Sequence, residues 1–186
     1  TFDEETERVI SYQDLPYWTG EAWQFGPEFP HPEGQYLQLN ASGGHVGHGP
    51  ERAAIRRWAA PEDAVIRIEG RLAHRSKEGN GVRARIVAGS GGLLGEWTVL
   101  DSRARTFVLR YWVSAGETID FVVDDLGNSN YDSFEWTPVV HVETSDGSKT
   151  TWDAQTDFGG PPPPVPTPEQ QYAQALLMTN EFLFID

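Results

Sequence analysis

Polar and apolar residues alternate in four stretches of the chain, with the two-residue period of strands that bury one face. In AVIRIEGRL, Ile66, Ile68 and Leu72 fall on one side and Arg67, Glu69 and Arg71 on the other. GVRARIVAG sets Val82, Ala84 and Ile86 against Arg83 and Arg85. TFVLRYWV sets Phe107, Leu109, Tyr111 and Val113 against Arg110 and Trp112. TIDFVV sets Ile119, Phe121 and Val123 against Asp120 and Val122. SFEWTPVVHV reads as a further strand, with Pro138 marking an edge or a bulge.

Turn residues separate these runs: Lys77-Glu78-Gly79-Asn80-Gly81, Gly89-Ser90-Gly91-Gly92 and Ser114-Ala115-Gly116. Short strands at this spacing, with no helical period before residue 168, predict an all-β fold, an antiparallel β-sandwich of jelly-roll-like type. The sandwich is expected over 1–144. A polar and Pro-rich linker is expected over 145–167, since PPPPVPTP favours stiff polyproline. The remainder, 168–186, reads as a helix and tail. Thr167 suits an N-cap, Pro168 the first helical position and Gln170 a capping box, giving a helix over about 168–180. Tyr172, Ala175, Leu176, Met178, Phe182, Leu183, Phe184 and Ile185 make it too apolar for a free tail, so it is expected to dock.

Composition narrows the function classes. Hydrophobic residues are 38% of the 186, with seven Trp, six Tyr and nine Phe, so the chain has the material for a folded core. The net charge of −14 argues against nucleic acid, whose phosphates need a basic stripe, and against anionic membrane surfaces. No apolar run approaches a membrane span. With no cysteine, this stretch holds no disulfide, thiolate metal site or covalently attached haem. The opening TFDEE reads as a piece of a longer polypeptide, with any targeting signal upstream.

Four groups of residues invite a chemical reading. The loop in DFVVDDLGNSNYDSF carries Asp124, Asp125, Asn128, Asn130 and Asp132, hard oxygen ligands of the kind that hold Ca²⁺. The glycine is misplaced for an EF-hand and no glutamate closes the loop. The alternative is a hydrogen-bonded turn using Asp, Asn and Gly for their backbone tolerance. His45 and His48, three apart among glycines, are too few for zinc by themselves and read as a structural or ligand-contacting loop. Trp58, Trp97 and Trp112 beside Asp, Asn and Arg are the chemistry of sugar binding, with Trp112 the sharpest case and Trp136 assigned to the core. Asp120 and Tyr131 complete that contact set. Arg83 and Arg85, two apart on one strand face, suit either a clamp for an anionic sugar or internal ion pairs. No G-x-S-x-G or H-E-x-x-H is present, so no catalytic residue is assigned.

Several blocks fall in order along nearly the whole chain: LPYWTGEAWQFG, LNASGGHVGHGPERAAIRRWAAPED, GNGVRARIV, LLGEW, TIDFVVDDLGNSNYDSFEWTPVV and YAQALLMTNEFLFID. Together they resemble the C-terminal part of large secreted planctomycete-type proteins that join a cytochrome-c-like domain to helical modules. In that family a carbohydrate-binding-module-like β-sandwich precedes the final helix. The matching positions include His45, Gly47, Arg57, Trp58, Gly81, Arg83, Trp97, Asp120, Asp124, Asn128, Asp132 and Trp136. The resemblance implies an extracytoplasmic location, haem on a different segment, and a terminal helix that belongs to an upstream helical module. The expected role is a non-catalytic carbohydrate-binding module that holds a larger secreted protein on polysaccharide. The alternative is a scaffold that packs against the upstream domains.

Overall fold

Each alternating stretch of the sequence forms a strand. The computed structural model describes residues 1–162, 166–170 and 172. In chain order the strands are β1 (Phe2–Asp3), β2 (Arg8–Val9), β3 (Tyr17–Trp18), β4 (Ala22–Gln24), β5 (Gln38–Asn40), β6 (Gly43–His45), β7 (Ala54–Ala59), β8 (Ala64–His74), β9 (Val82–Ala88), β10 (Gly92–Val99), β11 (Ser102–Val113), β12 (Thr118–Asp124), β13 (Ser133–Trp136), β14 (Val139–Thr144) and β15 (Lys149–Asp153). A 3₁₀ turn at Pro50–Arg52 interrupts them.

The strands form an antiparallel β-sandwich. One sheet runs β10-β9-β12-β7, and the larger runs β15-β14-β8-β13-β6-β5-β4-β3, with β11 on the far side of β8. The expected single strand over SFEWTPVVHV is two. β13 pairs Trp136 with Leu72, and β14 resumes on the same edge of β8 with Val139 opposite Glu69. Pro138 lies between them, where its missing N–H leaves a gap in the ladder.

The inward faces match the alternation. Val82, Ala84 and Ile86 from β9 and Ile119, Phe121 and Val123 from β12 meet Ile66, Ile68 and Leu72 from β8 in one core. Trp136 belongs to it: its ring meets Phe121 edge-on at 5.6 Å, and its Nε1–H donates to Thr106 Oγ1 at 3.0 Å. The glycines of GGHVGHG serve the same packing. A Cβ on Gly43 would sit 2.0 Å from the Phe134 carbonyl oxygen, so β6 and β13 approach this closely only with glycine there.

Three expectations change. The outward face of β9 is largely covered, with Arg83 half-buried and Arg85 fully buried, because the β1–β2 hairpin lies over it and Phe2 packs with Val87 and Val122 in a second small core. In β11 the register shifts between Val108 and Tyr111. This bulge turns Phe107 and Leu109 outward while Val108, Tyr111 and Val113 stay on the inner side. The alternation read across TFVLRYWV therefore breaks at residues 109–110. Finally, the sandwich continues past residue 144. β15 extends the larger sheet beside β14, Ala154 is buried, and Phe158 packs on the core, so 145–158 is not linker.

Residues 168–170 and 172 are helical. The capping box is formed: Gln170 N–H donates to Thr167 Oγ1 at 3.3 Å, and Thr167 N–H donates to Gln170 Oε1 at 2.9 Å. The rest of the expected helix, with Ala175, Leu176, Met178, Phe182, Leu183, Phe184 and Ile185, lies outside the described residues.

Candidate functional site

The outer face of the larger sheet carries an open groove of about 720 Å³, lined by Arg67, Arg110, Trp112, His141, Glu143 and Lys149 among others. Antiparallel register builds it. Trp112 on β11 stands opposite Val65 on β8, Val65 opposite Glu143 on β14, and Glu143 opposite Lys149 on β15. One row along, Arg67 faces His141 and His141 faces Thr151.

Trp112 is 54% exposed and Leu109 76% exposed, so this edge strand presents large apolar side chains to water. Among the described residues neither the Trp112 Nε1–H nor the Arg110 guanidinium has a hydrogen-bonding partner. Beside them Glu69 collects Arg67 at 3.2 Å, Arg105 at 3.5 Å and His141 at 3.1 Å. The His141 hydrogen bond, followed by the Arg67 charge, holds the Glu69 carboxyl below the usual carboxylate range. With Arg71, Arg103 and Arg105 also on the exposed side of these strands, one basic face sits on a chain of net charge −14.

A second cavity of about 770 Å³ opens beside β7 between residues 11–15 and 157–162. Its polar groups are already engaged. Trp23 Nε1–H donates to the Gly159 carbonyl at 2.8 Å, and the Arg56 guanidinium bonds the Asn40, Gly43 and Ala154 carbonyls. Arg57 stacks on Tyr12 at 4.1 Å and grips Asp120.

The residues singled out in the sequence are scattered by the fold. Trp112 and Tyr131 are exposed, Trp97 is half-buried against the core, and its ring lies 6.5 Å from Phe107. Trp58 is core, which takes it out of reach of a solvent-borne ligand. The same correction applies to His45, Arg85 and Asp120, all buried. His45 Nδ1 bonds the Val46 carbonyl at 2.7 Å, and Asp120 takes two hydrogen bonds from Arg57 at 2.7 and 2.8 Å. Arg85 is 0% exposed and reaches Glu4 at 2.6 Å, Glu96 at 2.7 Å and Asp124, with Phe2 under its guanidinium. Arg83 pairs with Asp124 at 3.1 Å and Glu4 at 2.8 Å. The arginine pair is therefore an internal ion-pair network, not a clamp open to solvent.

The acidic loop is partly spent on such contacts. Asp124 belongs to Arg83 and Arg85, and Asp125 accepts from His48 Nδ1 at 2.8 Å, Gly49 N–H at 3.1 Å and Gly127 N–H at 3.1 Å. Asn128 Oδ1 accepts the Asn130 N–H at 3.2 Å. Asp132 differs: it is 0% exposed and, among the described residues, neither carboxylate oxygen has a hydrogen-bonding partner. Burial, with the Asp125 charge adding, pushes its carboxyl up to about 7.

Arg67, His141, Glu143 and Lys149 were not singled out by sequence. Their signal was present, since Arg67 falls on the polar side of AVIRIEGRL and His141 alternates with Val140 and Val142. What the sequence lacks is the pairing that sets them beside Trp112.

No family model and no curated protein matches the chain. Among solved structures it is similar to the GH26-CBM35 β-(1,4)-mannanase of Podospora anserina, at 17% identity and a TM-score of 0.29. The alignment covers 66% of this chain and 25% of that one, so the chain spans about a quarter of that protein.

Proposed function

We propose that this chain is a non-catalytic carbohydrate-binding module and that its ligand is an acidic polysaccharide laid in the groove beside Trp112. The exposed Trp112 ring, with its N–H unpaired and Arg110 next to it, is the observation that carries this reading. An indole face stacks on the C–H side of a pyranose, while the N–H and nearby polar groups bond hydroxyls. Arg110 and Arg67 present planar donors that fit carboxylate or sulfate substituents. An open groove on a sheet face suits an extended chain running across strands, not an enclosed small molecule.

Affinity electrophoresis tests it with gels containing uronate-rich, sulfated or neutral polysaccharides. Retardation by the acidic gels, weakened by salt and lost in Trp112→Ala and Arg110→Ala, is the expected result. Equal mobility in every gel would remove the reading. Leu109 and Phe107 on the unpaired edge of β11 favour a second role, as a scaffold face against another domain of a larger protein. That role predicts that Phe107→Ser, outside the groove, leaves polysaccharide binding intact and weakens association with the parent protein's other domains.

A further inference from the structure

From the loop around Asp132 we infer a buried site for a hard cation, Ca²⁺ by its donor set, separate from the polysaccharide groove. Two oxygen-bearing side chains at one corner of the sandwich are orphaned. Among the described residues Asp132, 0% exposed, has neither Oδ1 nor Oδ2 hydrogen-bonded, and the buried Oδ1 of Asn80 is also without a partner. A desolvated carboxylate with no donor is among the costliest arrangements a protein can hold, and pairing or a metal relieves it.

The neighbouring donors are committed elsewhere. His74 is the nearest cation candidate, yet its Nδ1 accepts the Asp101 N–H at 3.3 Å. The ring proton therefore sits on Nε2, which donates to the Tyr131 carbonyl at 3.0 Å. Its distance to Asp132 Oδ1 is 3.7 Å, beyond a hydrogen bond. The Asn80 amide is fixed in the same way. Its Nδ2 donates to the Asp125 and Leu126 carbonyls at 3.2 and 3.0 Å, so a flip cannot turn a donor towards the orphaned side.

Glycine lets the 79–81 turn lie directly against these oxygens. Gly79 has φ +86°, and a Cβ built on it would lie 2.5 Å from the Asn130 carbonyl oxygen and 3.5 Å from Asp132 Oδ1. The Asn130 carbonyl and an Asp132 carboxylate oxygen thus both lie against Gly79, where a side chain would collide with the carbonyl. Carboxylate, side-chain amide and backbone carbonyl are the all-oxygen donors Ca²⁺ takes at about 2.3–2.6 Å. Thiolate or imidazole donors of a zinc site are missing from this set, since His74 has both nitrogens engaged. Mg²⁺ asks for a stricter octahedron and gives up water reluctantly, so Ca²⁺ fits the irregular loop better. The ligands differ from the sequence-based set: Asp124 and Asp125 already serve Arg83, Arg85 and His48, and Asn80 comes from another loop.

The test is thermal unfolding of the chelator-treated chain with added CaCl₂ or MgCl₂, alongside Tb³⁺ luminescence excited through the aromatic side chains. Ca²⁺ at about a hundred times its Kd is expected to raise the Tm by roughly 5–10 °C, with a smaller effect from Mg²⁺. Tb³⁺ emission should appear and be quenched by Ca²⁺ in competition. Asp132→Asn, which keeps the shape and removes the charge, should abolish both signals while folding at least as stably as the parent in chelator. A full Ca²⁺ shift in Asp132→Asn would overturn the assignment. So would a parent chain showing neither a Tm shift nor Tb³⁺ emission, a result that needs no variant to interpret.

Discussion

Arg85 on β9 and Asp124 on β12 touch diagonally across the two strands, Asp124 standing opposite Arg83 in the register, and Arg85 is wholly out of water beneath the N-terminal hairpin. Glu4 and Glu96 complete the shell at 2.6 and 2.7 Å, so the guanidinium meets three carboxylates and the Phe2 ring. A buried pair of this kind contributes little over apolar packing when intact, but is costly to break because one partner is left charged and dry. Because Glu4 and Glu96 still pair with Arg85, Asp124→Asn is expected to lower stability by about 1–3 kcal/mol. Urea unfolding measured with and without Ca²⁺ checks it, and the same loss should appear in both.

The two most instructive tryptophans should separate stability from binding. Trp136 is 2% exposed and Trp112 54% exposed. Trp136→Ala empties the centre of the core and is expected to cost about 3–5 kcal/mol. Trp112→Ala is expected to stay within about 0.5 kcal/mol of the parent while abolishing retardation in acidic polysaccharide gels. Parallel denaturation and affinity electrophoresis measure the two effects.

A narrower test concerns the Trp136 donor. Its indole N–H reaches Thr106 Oγ1 at 3.0 Å in a site where Thr106 is 0% exposed. Thr106→Val keeps the volume and removes the acceptor, so the cost is expected to be about 1–3 kcal/mol. Thr106→Ser should recover most of it, as read by the denaturation midpoint.

His45 supplies a pH dependence. Burial pulls its pKa below the usual 6.5, opposed by the Val46 carbonyl and reinforced by His74. The folded chain therefore takes up this proton less readily than the unfolded chain. The stability it contributes is complete above pH about 6.5 and is lost as the pH falls through the depressed folded value. Tm measured across this window should fall more steeply for the parent than for His45→Gln. Equal slopes would assign the acid sensitivity to other groups.

The sequence by itself determined which residues face inward on β8, β9 and β12, because a period of two has a single solution once one face must be buried. It also marked the capping box at Thr167 and Gln170, since that signal is local. Tertiary structure decided the rest. Glu4 of the hairpin of residues 1–9, folding over the outside of β9, together with Asp124 of β12 and Glu96 of β10, made Arg83 and Arg85 ion pairs instead of an open clamp. Only the bulge in β11 put Phe107 and Leu109 outside, because one extra residue inverts an alternation without altering composition. The acidic loop shows both sides. Its position between β12 and β13 was legible, but which aspartate lacks a partner depended on His48, Arg83 and Arg85, drawn from distant parts of the chain. Long-range pairing sets those contacts, and no local pattern encodes it.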